Sequence, residues 1–365
     1  MRVIRLINKS SLSILITLSI YINSVAAPLC NYHYNKLSED LKIQINKKLT
    51  FFGDTLDHTL KSGEENKDSS IGCYAGDATS YYTYKEVFYP TIKDYHGILP
   101  NEDTDHKLHK IKISDYNTLL DNVISIRFRV ARNLKEFPFP SAMKRLQRFE
   151  VEKKILSAIQ KLPKEYRGVY NRLSSLTKEK YNSLLNNHLV FGSNDKYLES
   201  AGILNNWPEA RGAYISDDKN FMVWVNEEDH MRIIYLTDGK DIIGSYNKFV
   251  DALSILEKEL EFAWDKKLGY LNSCPTNIGT ALRLSVHIKL DNLDIEEIKS
   301  IAKEFNLSVR GTYGENSGII NNTYDISNSQ RLGITPEKII HDLVNGISKL
   351  NLKNKVQNGT VKLKR

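Results

Sequence analysis

The run "ALRLSVHIKL", Ala281–Leu290, constrains the fold more than any other part of the chain. Leu282, Leu284, Val286, Ile288 and Leu290 take every second position, with Arg283, Ser285, His287 and Lys289 between them. Side chains alternate across a strand, so a period of two puts the aliphatic set on one face and the polar set on the other. "SIRFRVAR" repeats the pattern, with Ile126, Phe128 and Val130 against Ser125, Arg127 and Arg129. "FMVWV", the acidic turn "NEEDH" and the returning "MRIIYL" predict a hairpin. Hairpin-linked strands of this kind call for an antiparallel sheet with a buried face that something must cover.

Helices are the natural cover. "RFEVEKKILSAIQKL" and "PEKIIHDLVNGISKL" read as amphipathic helices packed on the sheet. From about Asn31 to Pro100 the pattern is short and mostly helical; "LSEDLKIQINKKLTFF" opens on a serine cap. The fold class is therefore α+β, and 365 residues suit two domains, with three as the alternative. "KSGEENKDSSIGCYAGD" is a polar loop, and "NEDTDHKLHKIKISD" a charged linker. His106 and His109 in "HKLH" have possible metal spacing but no companion ligands, so they belong to the linker and no protein metal site is expected.

The first 26 residues read as a secretory leader. A basic start is followed by the uncharged run Leu12–Ile22 and by small residues suited to cleavage after Ala26. The run is too short for a comfortable membrane span. A retained anchor and a mitochondrial presequence are the alternatives, but a presequence should be arginine-rich and amphipathic. The expected location is the secretory pathway or the exterior, and the cytoplasm if this segment is not used. Of the net charge of +7, Arg2, Arg5 and Lys9 supply three, leaving +4 beyond residue 26. That balance fits a mixed-charge surface better than a nucleic-acid partner. Cys30, Cys73 and Cys274 remain after cleavage, an odd number, so at least one is free or pairs between chains. A Cys30–Cys73 disulfide is permitted by an oxidising compartment. Asn306, Asn321 and Asn358 head three sequons that secretion would make available for glycans.

Several residues have the chemistry of a site. Arg127 and Arg129 share one strand face, Arg232 follows the acidic turn, Arg283 lies on another polar face, and Arg310 opens the glycine-rich "RGTYGENSG". Guanidinium groups suit phosphate oxygens because they are planar, permanently charged and bidentate. Taken singly, each also fits a solvated or salt-bridged strand arginine. Glu227, Glu228 and Asp229 crowd one turn and Glu315 sits in the glycine loop; such carboxylates either hold a cation or accept a proton, or simply solvate a turn. Cys274, before Pro-Thr-Asn, is either a reactive thiolate near cations or a small buried hydrophobe. The phosphate-binding and dinucleotide glycine signatures, the protein-kinase catalytic loop and the Gly-x-Ser-x-Gly elbow are all missing from the sequence.

At "CPTNIGT" the chain resembles the guanidino (phosphagen) kinases, most of all the arginine kinases. "SIRFRVAR", "WPEARGAYISDDKNFMVWVNEEDHMRI", "RGTYGEN" and "YDISNSQRLGITPEKIIHDLVNGI" join it in family order, so the resemblance covers about 31–350. Beyond the leader over 1–26, which the resemblance does not include, it implies a small helical guanidino-specificity domain over 30–112 and a catalytic ATP-binding α+β domain over 113–355. It implies reversible transfer of the γ-phosphoryl of Mg-ATP to a guanidine nitrogen. Arg127, Arg129, Arg232, Arg283 and Arg310 would clamp the phosphates, with Ser125, His188, His287 and Asp325 at other nucleotide positions. Glu228 and Glu315 would grip the guanidinium with Cys274, as a thiolate, beside it. Ser69, Ser70, Ile71, Gly72 and Tyr74 would meet the substrate's carboxylate end. Magnesium would be held by phosphates and water, and the chain would be a monomer, as the family's arginine kinases usually are.

Three departures matter. Tyr313 stands where the family usually has arginine, Ser70 replaces a glycine common in arginine kinases, and Ile126 replaces a usual threonine. The specificity loop is as long as in arginine kinases, so L-arginine is the first expected substrate, with taurocyamine or another guanidine as alternatives. A different class of function, a secreted non-catalytic protein that binds nucleotide or a partner surface, competes with the enzyme reading. Tyr313 and the leader motivate it; the intact arginine and carboxylate set opposes it.

Overall fold

A computed structural model describes residues 27–99, 104–112, 120, 122–238, 241–312 and 318–357. The leader, Tyr313 and Glu315, and the Asn358 sequon lie outside the described residues. The chain begins helically, with α1 (Leu29–Asn35), α2 (Glu39–Asn46), α3 (Leu56–Glu65), the short α4 (Ser80–Thr83) and α5 (Lys85–His96). Ser38 and Thr55 cap α2 and α3 by accepting from the backbone N–H of Leu41 and His58. The helices bury Ile45, Leu56, Leu60, Tyr81, Tyr84, Val87 and Phe88 together. Leu271, Cys274, Ile278 and Leu332 belong to the same cluster, so this helical part packs directly on the segment that carries Cys274.

The larger part runs β1 (Val123–Arg132), α6 (Arg145–Ile159), β2 (Gly168–Arg172), α7 (Lys178–Asn186), α8 (Lys196–Ser200), β3 (Gly212–Ser216), β4 (Phe221–Val225), β5 (Met231–Thr237), α9 (Ile242–Glu259), β6 (Trp264–Asp265), β7 (Gly269–Tyr270), β8 (Leu282–Lys289), α10 (Ile295–Glu304), β9 (Leu307–Arg310), β10 (Thr323–Asn328) and α11 (Pro336–Gln357). One eight-stranded sheet has the order β2-β3-β4-β5-β1-β8-β10-β9, and β6 and β7 form a separate ribbon. All of its pairings are antiparallel. Ile126, Phe128, Val130, Leu284, Val286 and Ile326 form its buried face under Tyr246, Phe249 and Leu253 of α9 and Leu343 and Ile347 of α11. Phe128 stacks on Phe249 at 5.8 Å. Truncating such a ring to alanine costs about 3–5 kcal/mol.

The α+β architecture is the one expected, with the helix-covered antiparallel sheet in place. The charged-linker assignment needs correction at His106, which is fully buried and accepts from the Gly333 backbone N–H at 2.9 Å. His109 is exposed and meets Glu337 at 2.5 Å. Helix α6 buries charge as well as hydrocarbon: Glu152 accepts from Tyr170 and Arg172, and Arg148 donates to the Pro140 carbonyl. Cys30 and Cys73, whose pairing the sequence left open, are joined by a disulfide with Cα atoms 5.9 Å apart, and Cys274 is free. Among the described residues no helix is long and apolar enough to cross a membrane.

Candidate active site

Directly opposed residues of neighbouring strands point to the same side of a sheet, so the ladder itself assembles the polar face. Arg129 on β1 stands opposite Arg283 on β8, Arg127 opposite Ser285, and Ser125 opposite His287. On β10, Ser327 and Asp325 continue the rows of Ser285 and His287. Arg310 on β9 is opposite Asp325, and Arg232 on β5 is opposite Ala131, one pleat from Arg129. Four strands thus place five arginines on one face. Arg283 donates to Asp325 Oδ2 at 2.9 Å and to Ser327 Oγ at 3.3 Å. Ser125 Oγ and His287 Nδ1 are 3.1 Å apart. His188 lies in the turn after α7 with φ of 56°. Its neighbour Leu189 accepts from the Trp224 indole N–H at 3.1 Å, and Arg232 lies over that indole.

The acidic turn divides into two parts. Asn226 takes the left-handed φ of 55° that the tight turn requires, and its side chain donates to the carbonyls of Arg148 and Ala210. Glu227 and Glu228 then grip Arg232, accepting from Nη1 at 2.8 Å and Nη2 at 3.0 Å. Asp229 points the other way. It accepts from Asn133 Nδ2 at 2.6 Å and from the Ser273 backbone N–H at 2.7 Å, which moors the acidic turn to the segment before Cys274.

The Cys274 turn is held from several sides. Arg331 Nη1 donates to the Thr276 carbonyl at 2.8 Å and to Asn277 Oδ1 at 3.1 Å. His96 on α5 bonds the Pro275 carbonyl at 2.9 Å. With Oδ1 engaged by Arg331, the Asn277 amide turns its N–H toward Glu228 Oε1, 3.2 Å away. Cys274 Sγ lies 3.1 Å from Thr276 Oγ1. Gly279, at φ of 87°, is a position where a Cβ would meet the Arg331 carbonyl oxygen at 2.2 Å, so only glycine lets the two segments approach.

A cleft of about 500 Å³ joins these parts. Asp68, Ser69, Ser70, Ile71, Gly72 and Tyr74 line it together with Glu228, Cys274, Arg129 and Arg310, the last two being shared with the arginine face. Every described residue expected at the substrate is therefore in one cleft. Tyr95, Tyr197, Thr276, Asn277 and Arg331 line it too and were not singled out from sequence. Asn277 and Arg331 lie inside quoted motifs, but as loop residues without periodicity they carried no signal of their own.

The electrostatics of the cleft are polarised. Burial pushes Glu228 up to about 7, Asp229 and Glu227 add to that, and Arg232 and Arg129 oppose it. Burial, then the Glu228 charge, pushes the Cys274 thiol up to about 12. With no cation beside it, this environment favours the thiol over the thiolate expected next to a bound guanidinium. Arg129 is pushed well below the ordinary arginine range by burial and then by Arg232, Arg283, Arg127 and Arg331. Burial lowers Arg283 to about 10 despite Asp325, and holds His287 below its ordinary range, hence neutral. A cation between Glu228 and Cys274 would relieve one end, and a polyanion over the arginines the other. Among the described residues no group of three or more His, Cys, Asp or Glu could hold a metal ion.

Known proteins are similar to this chain in sequence and fold. The pattern for "ATP:guanido phosphotransferase, C-terminal catalytic domain" matches residues 150–356, and that for the N-terminal domain of the same family matches residues 30–93. The arginine kinase of Limulus polyphemus is 39% identical over 85% of this chain and 88% of its own length. The substrate-free duplicated taurocyamine kinase of Schistosoma mansoni superposes with a TM-score of 0.83 at 29% identity over 99% of this chain; the chain spans 51% of that protein's length. A lombricine kinase superposes with a TM-score of 0.83 at 29% identity, over 94% of this chain and 97% of its own.

Proposed function

The chain belongs to the ATP:guanido phosphotransferase family and is a phosphagen kinase, and on that premise we propose that it phosphorylates L-arginine: ATP + L-arginine = ADP + phospho-L-arginine, with release of a proton. The observation that carries the proposal is the single cleft in which the 68–74 loop, Glu228 and Cys274 meet Arg129 and Arg310. Phosphoryl transfer needs in-line positioning and charge neutralisation more than covalent help. In this reading Arg127, Arg129, Arg232, Arg283 and Arg310 hold the ATP phosphates, with Ser125, His188, His287 and Asp325 at the rest of the nucleotide. The donors on this face are guanidinium and hydroxyl groups, which suit phosphate oxygens rather than a bare cation. The Mg²⁺ that offsets phosphate charge therefore belongs with the nucleotide and its water.

Glu228 takes the guanidine proton. A guanidinium alone titrates at about 12.5–13.8, so transfer needs a carboxylate against the attacking nitrogen. Glu228 starts at about 7 and is drawn down by an incoming guanidinium, so it is ionised when the substrate is seated. Cys274 starts at about 12 and faces the same charge as a polarisable wall. Glu315 is assigned the second guanidinium contact on family pattern. Ser69, Ser70, Ile71, Gly72 and Tyr74 receive the amino-acid end of the substrate. The leader-like N-terminus and the Cys30–Cys73 disulfide support a secretory or extracellular setting for this chemistry.

The test is ADP release by the chain from residue 27 onward with Mg-ATP and L-arginine, D-arginine, creatine, glycocyamine or taurocyamine. The highest kcat/KM is expected with L-arginine. A higher value with taurocyamine would reassign the substrate. ATP binding without turnover on any guanidine would replace the enzyme reading with a nucleotide-binding one.

A further inference from the structure

Resting on the assignment of the 68–74 loop to the guanidine substrate, we propose that the Cys30–Cys73 disulfide is a positioning device for that loop, so that its redox state sets the affinity for the guanidine. On its outer side the loop is tied by Asp68, which accepts from Lys196 at 2.6 Å and Tyr197 at 3.2 Å, and by Asn66, which donates to Ser200 Oγ at 2.8 Å. Between Asn66 and Gly72 its residues are polar or small apart from Ile71, and Lys67, Asp68 and Ser70 are exposed. One side of it faces the cleft. The other side lies on the start of α1. There the backbone N–H groups of Leu29 and Cys30 donate to the carbonyls of Ser70 and Ile71 at 3.1 Å and 3.0 Å. A Cβ at Gly72 would sit 2.4 Å from both Pro28 Cβ and Asn31 Oδ1, so the loop is already pressed against this segment. The disulfide fastens the same contact covalently, one residue from Gly72 and Tyr74 of the cleft wall.

The bond joins residues 43 apart in sequence. What it holds against the cleft wall is the start of α1, where Leu29 and Cys30 pair with the loop. Without the bond, the contact between the cleft wall and α1 rests on two backbone hydrogen bonds, and a surface contact held so lightly opens locally at low cost. A loop that is ordered before binding loses less entropy when the substrate arrives. The tether therefore acts on guanidine binding. The arginine face, built on strand ladders elsewhere, is untouched by it. Reduction is a two-electron exchange with a dithiol: a reductant thiolate attacks one sulfur, the mixed disulfide is resolved by the second reductant thiolate, and two protein thiols and one cyclic disulfide result. Both cysteines are fully buried, so that exchange needs the contact to open first.

The experiment compares the oxidised chain from residue 27 onward, the same protein after treatment with a dithiol, and Cys30→Ala, which removes the bond without changing the loop. Non-reducing peptide mapping should find the Cys30–Cys73 linkage, and a chain without it overturns the proposal. Amide exchange over 66–74 should quicken at least about fivefold on reduction and in Cys30→Ala, whether or not any guanidine is turned over, which separates this test from that of the function. The guanidine KM should rise about three- to tenfold, with kcat and the Mg-ATP KM within twofold. Unchanged exchange and KM overturn the proposal. So does an equal loss in kcat and in both KM values, because that would be general destabilisation. If Cys30→Ala does not fold, the dithiol-treated natural chain still gives the exchange and kinetic comparison.

Discussion

The two parts of the candidate site are built in opposite ways. The part proposed for the nucleotide is a sheet face: Arg127, Arg129, Arg232, Arg283 and Arg310 stand on hydrogen-bonded strands whose other side is the main core. The part proposed for the guanidine is an assembly of turns and loops from distant parts of the sequence, the 68–74 loop, the turn at Glu227–Asp229 and the turn at Cys274–Asn277. A polyanion of fixed shape suits a ladder. A substrate that differs between relatives suits loops, which change without disturbing the sheet.

That contrast can be broken first at its cationic end. Arg129→Ala should lower kcat by about 10²–10³ with every guanidine alike, while thermal stability holds or rises, because burial and the neighbouring arginines already disfavour this charge. A loss specific to one guanidine would blur the two halves. Next, Glu228→Gln should cut turnover by more than tenfold and leave the Mg-ATP KM unchanged; equal turnover would remove Glu228 from proton transfer.

The pH dependence sharpens the comparison further. Glu228 lies near 7 in the folded chain, above its ordinary 4.5. kcat/KM for the guanidine should therefore fall as pH drops below about 7, and the arginines should contribute no limb there. The stability consequence has the opposite sense. A carboxyl raised on folding binds its proton more tightly when folded, so its stabilisation is complete below 4.5 and is lost as pH rises through about 7. Thermal melts of the ligand-free chain should show this decline, and Glu228→Gln should flatten it. The smallest effect belongs to Asn277→Ala, which removes one hydrogen bond to Glu228 and one from Arg331. It should raise the guanidine KM a few fold, in keeping with about 1 kcal/mol for such a bond, and leave the Mg-ATP KM alone.

The same contrast decides what could be read from sequence. A period of two in "SIRFRVAR" and "ALRLSVHIKL" gave both the buried face and the direction of Arg127, Arg129, Arg283 and His287. No periodicity reaches Asn277 or Arg331, whose roles arise from turns brought together by the packing of the helical part on the Cys274 segment. The preference for the thiol at Cys274 when no cation is beside it was hidden for a related reason. Composition shows cations nearby in sequence, but burial and the facing Glu228 decide the thiol, and both are tertiary. His106 was misread because its burial depends on Gly333, far along the chain. The Cys30–Cys73 pair was only permitted by count and compartment, and the fold of the N-terminal segment onto the 66–74 loop selects it.

The central claim is that one cleft passes a phosphoryl group from the arginine face to a guanidine nitrogen beside Glu228. ³¹P NMR of the chain with Mg-ATP and L-arginine tests it most directly. The account expects a phosphorus–nitrogen resonance that grows as the ATP γ-signal falls and reverses when excess ADP is added. Inorganic phosphate alone, or an unchanged ATP spectrum with nucleotide demonstrably bound, would contradict it.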